Sequence, residues 1–208
     1  MDLALPLRSL VPSLDADVLA VLAGTESELG ISAIVRLAGR GSRAGAAHVL
    51  DRLVLHGLVH ARRGNIGYLY SFNREHVLAP LVTEGLEVRQ RVLVRLADEV
   101  KGLGPLHASV FGSFARGEGN AESDIDLFIV VRPGVDPHGE WSDRLRAVQD
   151  RVEAFLGNGL EPLVMTVDGL TDVVAAEEPI VGSLREESIT LAGPDFGALM
   201  TSVRAGAA

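Results

Sequence analysis

Two short groups of residues carry the chemistry available to this sequence. Gly112-Ser113 closes an apolar run over 108–111, ten residues intervene, and Asp124-Ile125-Asp126 opens a second apolar run over 127–131. In an extended strand, residues two apart project from the same face, so Asp124 and Asp126 point together while Ile125 turns away. The five apolar residues that follow predict a strand covered on both faces, with the carboxylate pair at the mouth of a core. Like charges held there repel each other and lose solvation. A hard divalent cation offsets both costs, and Mg²⁺ typically takes one or two carboxylates together with substrate phosphates. Gly112 lets the backbone come close to an anion, and Ser113 adds a hydroxyl and an N–H donor. The parts are those of metal-assisted transfer from a nucleotide. Taken singly, Gly-Ser is also an ordinary turn and Asp-x-Asp an ordinary solvated strand edge.

The elements that must position these groups read as strand, phosphate-holding turn, strand. After a loop over 132–139, Trp141, Leu145, Val148, Val152 and Phe155 recur at steps of four and three, which predicts a helix with one apolar face. Arg144, Arg146 and Arg151 lie off that stripe, on a solvated face that could also meet a triphosphate. Gly157-Asn158-Gly159 stops the helix, and 160–167 reads as a further strand. Beyond it the chain reads as helices broken at Pro179 and Gly182, a short strand over 188–191, and a frayed tail of small residues.

Gly112-Ser113, ten residues, then Asp124-x-Asp126 resembles the signature of the DNA polymerase β-like nucleotidyltransferase superfamily, closest to its minimal, antitoxin-like branch. Arg116-Gly117 and Ser123 match that branch as well. The resemblance implies a mixed sheet with flanking helices over 104–208. Gly112, Ser113, Arg116 and Ser123 would hold the nucleotide, and Asp124 and Asp126 would bind Mg²⁺. The superfamily also uses a third carboxylate on a neighbouring strand, as metal ligand and general base. Glu161 is the best-placed candidate and Asp168 the fallback. The sequence departs from the pattern at Phe114, where many minimal members carry a basic residue.

The front of the chain has a different pattern. After a proline-bearing lead-in over 3–13, helices are predicted over 15–23, 31–38 and 42–56, then short strands over 58–62 and 68–72 joined by Arg63-Gly-Asn-Ile-Gly67. Three helices followed by a glycine-tipped hairpin resemble a winged helix-turn-helix domain, here over 1–78. In that arrangement the start of the third helix enters the major groove while the wing touches backbone. The resemblance assigns DNA contact to Ser42, Arg43, Ala46 and His48 on the helix and to Arg62, Arg63 and Asn65 at the wing. Residues 31–76 carry seven arginines against Asp51 and Glu75, a net +5 in a chain of net charge −9, which suits a polyanion. His48, His56, His60 and His76 read as surface or hydrogen-bonded residues, since the one i, i+4 step among them crosses Gly57. Leucines and valines at helical spacing predict a connecting helix over 79–103.

With 208 residues and 47% hydrophobic content, the chain is long and apolar enough for filled cores, aliphatic ones given its 4% aromatics. It has no cysteine, which excludes disulfides and thiolate metal sites. No basic region precedes the first apolar residues and no apolar run approaches a membrane span, so a cytoplasmic location without membrane contact is expected. The two resemblances imply an α+β fold class, a winged helix-turn-helix followed by a polymerase β-like nucleotidyltransferase domain. The expected activity is Mg²⁺-dependent transfer of a nucleoside monophosphate from an NTP, ATP first, to a hydroxyl on a partner protein such as a toxin, or on RNA. The alternative is a DNA-binding regulator or antitoxin whose transferase fold senses nucleotide or serves as a scaffold. A homodimer is compatible with either.

Overall fold

The computed structural model describes residues 1–204, and the end of the small-residue tail, 205–208, lies outside the described residues. The chain divides into two compact units within one long helix. Asp2 and residues 4–89 form the first; Met1, Leu3 and residues from 90 onward form the second.

The first unit opens with a short helix, α1 (Leu7–Leu10), inside the expected lead-in, because Leu7 is buried in the core. There follow α2 (Leu14–Ala23), a two-residue strand β1 (Leu29–Gly30), α3 (Ile31–Ala38), α4 (Arg43–Leu55), β2 (Val59–Arg63), β3 (Tyr68–Phe72) and the first part of α5 (Ala79–Lys101). Local chemistry sets these ends. Ser13 Oγ accepts a hydrogen bond from the Asp15 amide, Ser42 Oγ accepts one from the Gly45 amide at 3.0 Å, and Gly39 leaves α3 in the left-handed conformation. The three strands form an antiparallel sheet in the order β1-β3-β2. β1 escapes the sequence patterns because two residues carry no periodicity. The core is aliphatic, built from Leu19, Leu22, Ile34, Leu50, Leu53 and Val59 with Phe72. One charge lies within it: Asp17, 2% exposed, paired with Arg8 (Nε at 2.9 Å) and Arg40 (3.3 Å).

In the second unit, β4 (His107–Phe111) runs into α6 (Gly112–Arg116), followed by β5 (Ile125–Val130), α7 (Glu140–Leu156), β6 (Leu160–Met165), α8 (Val167–Ala175), α9 (Pro179–Glu187), β7 (Ile189–Ala192) and α10 (Phe196–Arg204). The sheet order is β6-β5-β4-β7, with β5 and β6 parallel and the other pairs antiparallel. A parallel pair needs a crossover, and α7 supplies it, burying Trp141, Leu145, Val148 and Val152. β5 is buried on both faces, as its unbroken apolar run predicts. Phe128 and Val130 pack on one side against Leu170, Leu184, Phe196, Leu199 and Met200. Phe196, Leu199 and Met200 therefore turn the tail that was expected to fray into α10. Among the described residues no helix is long and apolar enough to cross a membrane.

Candidate active site

The Gly-Ser turn is a tight helical corner. β4 ends at Phe111, and Gly112, at φ +67°, begins the single turn of α6. A side chain at position 112 would collide with Asp126 Oδ2, so glycine is required both by the backbone angle and by the carboxylate lying against it. A second glycine does the same for the other aspartate. A Cβ on Gly159 would stand 2.5 Å from Asp124 Oδ1. Each member of the acidic pair thus packs against a backbone that offers only hydrogen.

Parallel register places Glu161 of β6 beside Asp126 of β5, while Phe111 of β4 flanks Asp126 on the other side. Burial pushes the Asp126 carboxyl above the usual carboxylate range, and the charges of Asp124 and Glu161 push the same way, with Arg116 partly offsetting them. Two acids therefore act on Asp126 where two adjoining strands begin. Among the described residues, no group of three or more acidic or imidazole side chains is arranged so as to hold a metal ion. The all-oxygen pair of Asp126 in β5 and Asp124 just before it suits Mg²⁺, which completes its shell with phosphates and water. Asp168, the fallback third acid, sits in the first turn of α8, past the opposite end of β6, because the strand gives way to a helix capped by Thr166.

Ser113 is half-buried in the first turn of α6, and Phe114 is buried, 1% exposed, so the side chain that replaces a basic residue faces the core. Arg116 already has two anionic partners: Glu118 at 2.8 Å and, from the end of α9, Glu187 at 2.7 Å. Ser123 holds the loop before Asp124, its Oγ accepting from the Asn120 amide at 2.9 Å. Arg144 donates to the Gly102 carbonyl, Arg151 pairs with Glu99, and Arg146 lies beside Asp143, so all three α7 arginines have partners away from the acidic pair.

Sequence reasoning missed Asn158. Read as part of a helix stop, it is 3% exposed and donates to the Ser123 carbonyl at 2.9 Å, with the Asn120 and Ala121 carbonyls at 3.4 Å. Its neighbour Gly159 accepts from the Ile125 amide at 2.9 Å. The 157–159 turn therefore fixes the loop that delivers Asp124. The one visible signal was an amide side chain enclosed by two glycines.

Residues 93–172 match the family model of the nucleotidyltransferase domain. The match covers β4, α6, β5, α7 and β6, and with them Gly112, Ser113, Arg116, Ser123, Asp124, Asp126 and Glu161. Among solved structures, a chain from a crystal structure of a toxin-antitoxin with AMP-PNP aligns with a TM-score of 0.35 and 14% identity, over 53% of this chain and 85% of that one. No curated protein matches the chain. The second unit is strongly acidic: the first unit holds nine arginines against nine carboxylates, which leaves the whole −9 in the second.

The basic stretch over 31–76 is partly neutralised by acids that precede it. Asp15 pairs with Arg52, Asp17 with Arg40, and Glu28 takes Arg62 in a two-nitrogen fork, with Nε at 3.0 Å. Arg74 donates to the Ala23 carbonyl at 2.9 Å. Arg36, Arg43 and Arg63 are exposed and carry no ion pair among the described residues. Ser42 caps α4, His48 Nδ1 lies 2.8 Å from the Ala44 carbonyl, and Asn65 sits in the exposed hairpin turn. Ala46, whose helical spacing reads as inward although the resemblance assigned it DNA contact, is buried; Ala44 and Ala47 line the groove instead. That groove, about 1060 Å³, runs between the first turns of α3 and α4 and the β2–β3 hairpin.

Proposed function

We propose that the chain is a Mg²⁺-dependent nucleotidyltransferase that moves a nucleoside monophosphate from an NTP, ATP first, to a hydroxyl on a partner protein or RNA. The observation that supports it is Asp126, held against Gly112 with its carboxyl raised by burial and by two neighbouring acids. Mutually repelling carboxylates at a strand mouth are a costly arrangement that a cation relieves. Magnesium bound by Asp124 and Asp126 would supply neutralisation of the triphosphate charge. The α6 corner, through Gly112 and Ser113, receives the β- and γ-phosphates, and Arg116 exchanges its carboxylate partners for phosphate oxygens. Glu161 takes the proton of the acceptor hydroxyl. The acceptor oxygen bonds to the α-phosphorus as the bond to the β-phosphate oxygen breaks, and pyrophosphate leaves. Positioning and charge complementarity are the protein's main contributions.

In the same proposal, residues 1–78 are a winged helix-turn-helix that contacts duplex DNA through α4 and the β2–β3 hairpin. The strand order β1-β3-β2 around α2, α3 and α4, together with unpaired Arg36, Arg43 and Arg63, supports it. A second reading is a DNA-binding regulator or antitoxin whose transferase fold senses nucleotide; that Arg116 is already paired with Glu118 and Glu187 favours it.

Pyrophosphate release from ATP, measured with Mg²⁺ and candidate protein or RNA acceptors, separates the two. Release that disappears in Asp124→Asn supports the transferase. Nucleotide-dependent thermal stabilisation without release, in a chain that binds DNA with a steep salt dependence, supports the regulator. A chain that shows neither release nor stabilisation with any NTP rejects both.

A further inference from the structure

We infer that α4 reads thymine methyl groups in the DNA it contacts, an inference that rests on the DNA-binding part of the proposed function. The outward residues of the first two turns of α4 are Arg43, Ala44, Ala47 and His48. Ala44 and Ala47 are three apart, so their methyl groups lie side by side on one face, with the basic side chain of Arg43 and the imidazole of His48 bordering them. His48 Nδ1 lies 2.8 Å from the Ala44 carbonyl, which leaves the Nε2 edge for a base or a phosphate. The centre of this face can neither donate nor accept a hydrogen bond.

A purine edge in the major groove is read by a bidentate donor or acceptor, which Ala44 and Ala47 lack; thymine presents a C5-methyl group, which an alanine side chain meets by apolar contact. The surroundings continue the apolar character. Ile31, Ala33, Ile66 and Tyr68 line the same groove, and Ile66 at the hairpin tip is fully exposed. An apolar protein segment would cover these side chains but would leave Arg36, Arg43 and Arg63 without anions. Duplex DNA satisfies both features, phosphates for the arginines and methyl groups for the alanines.

The test uses the full-length chain and a pool of random-sequence duplexes. Retained duplexes are sequenced, and the tightest is remade with deoxyuridine in place of thymidine, which removes only the methyl groups. Sequences enriched in thymine at the protected positions are expected. Affinity should fall by about fourfold for each contacted methyl removed, the factor that ~0.8 kcal/mol for one buried apolar carbon corresponds to. The uracil penalty should shrink in Ala44→Ser/Ala47→Ser, while Arg43→Ala should weaken all duplexes alike and flatten the salt dependence. A duplex bound equally well with uracil overturns the methyl reading and leaves DNA binding standing. Retention of no duplex at low salt overturns both, and the groove then belongs to a protein partner. If the double variant fails to fold, the uracil comparison on the unaltered protein decides by itself.

Discussion

Gly112 and Gly159 let two aspartates approach the main chain more closely than any other residue would permit, and the cost of that approach sits on Asp126. A carboxyl raised in the folded state favours the fold most at low pH, and that contribution is lost as pH rises through the folded value. At neutral pH, without a cation, ionised Asp126 therefore works against folding. Asp126→Asn should raise the unfolding midpoint by a few degrees in metal-free buffer and abolish the further rise on adding Mg²⁺ with a non-hydrolysable ATP analogue. Thermal denaturation with and without the metal and analogue checks both. In the proposed transferase, nucleotide phosphates at Arg116 would have to displace Glu118 and Glu187. Glu187→Gln should tighten nucleotide binding a few-fold by titration calorimetry, the small size following from a surface ion pair in water. A weaker affinity would mean that Glu187 orients Arg116 for the phosphates and does not compete with them.

Among the elements, the 157–159 turn ties the crossover helix to the site. α7 must end so that β6 lies parallel to β5, and the same turn lodges Asn158 under the loop that precedes Asp124. Asn158→Ala removes the donor that holds these part-buried carbonyls and should cost ~1 kcal/mol of stability, measured by urea denaturation. Pyrophosphate release should fall further than the stability loss accounts for, because the Asp124 loop slackens. The same lesson holds for Asp17 in the first unit, a buried carboxylate that only its arginine partners make tolerable. Arg8→Ala/Arg40→Ala, which leaves the Asp17 carboxylate buried without either partner, should destabilise that unit by ~3 kcal/mol. Circular dichroism during denaturation reads the loss.

For the whole chain, charge and pH sensitivity are unevenly distributed. The first unit is neutral, and the second carries the negative charge. Acid sensitivity is expected from His107, fully buried in β4 between Phe128 and Phe196, with Nδ1 2.8 Å from the Pro194 carbonyl and Nε2 3.0 Å from Ser109 Oγ. Burial lowers its pKa from the ordinary 6.5, against weaker opposing effects of the Pro194 bond and Asp195. The unfolded chain therefore takes up the proton first. Stability is full above about pH 6.5 and declines as pH falls through the lower folded value. Denaturation midpoints between pH 7.5 and 5 should show this decline, and His107→Gln should flatten it.

The sequence by itself determined the local elements and the acidic pair. Period, caps and glycine stops act within a few residues, which is why α2, α3, α4, α7 and the β4 to β5 corner could be read directly. The residues that carry the site motif likewise depend on spacing along one segment. Only the tertiary structure decided which acid stands beside Asp126, because strand register across a crossover chose Glu161 over Asp168. It decided that Glu28 pairs with Arg62 and Glu187 with Arg116, from 34 and 71 positions away. It also gave Asn158 its role and made a helix of the tail. In each of these the deciding contact joins residues far apart in sequence, and no local pattern encodes a distance that only folding closes.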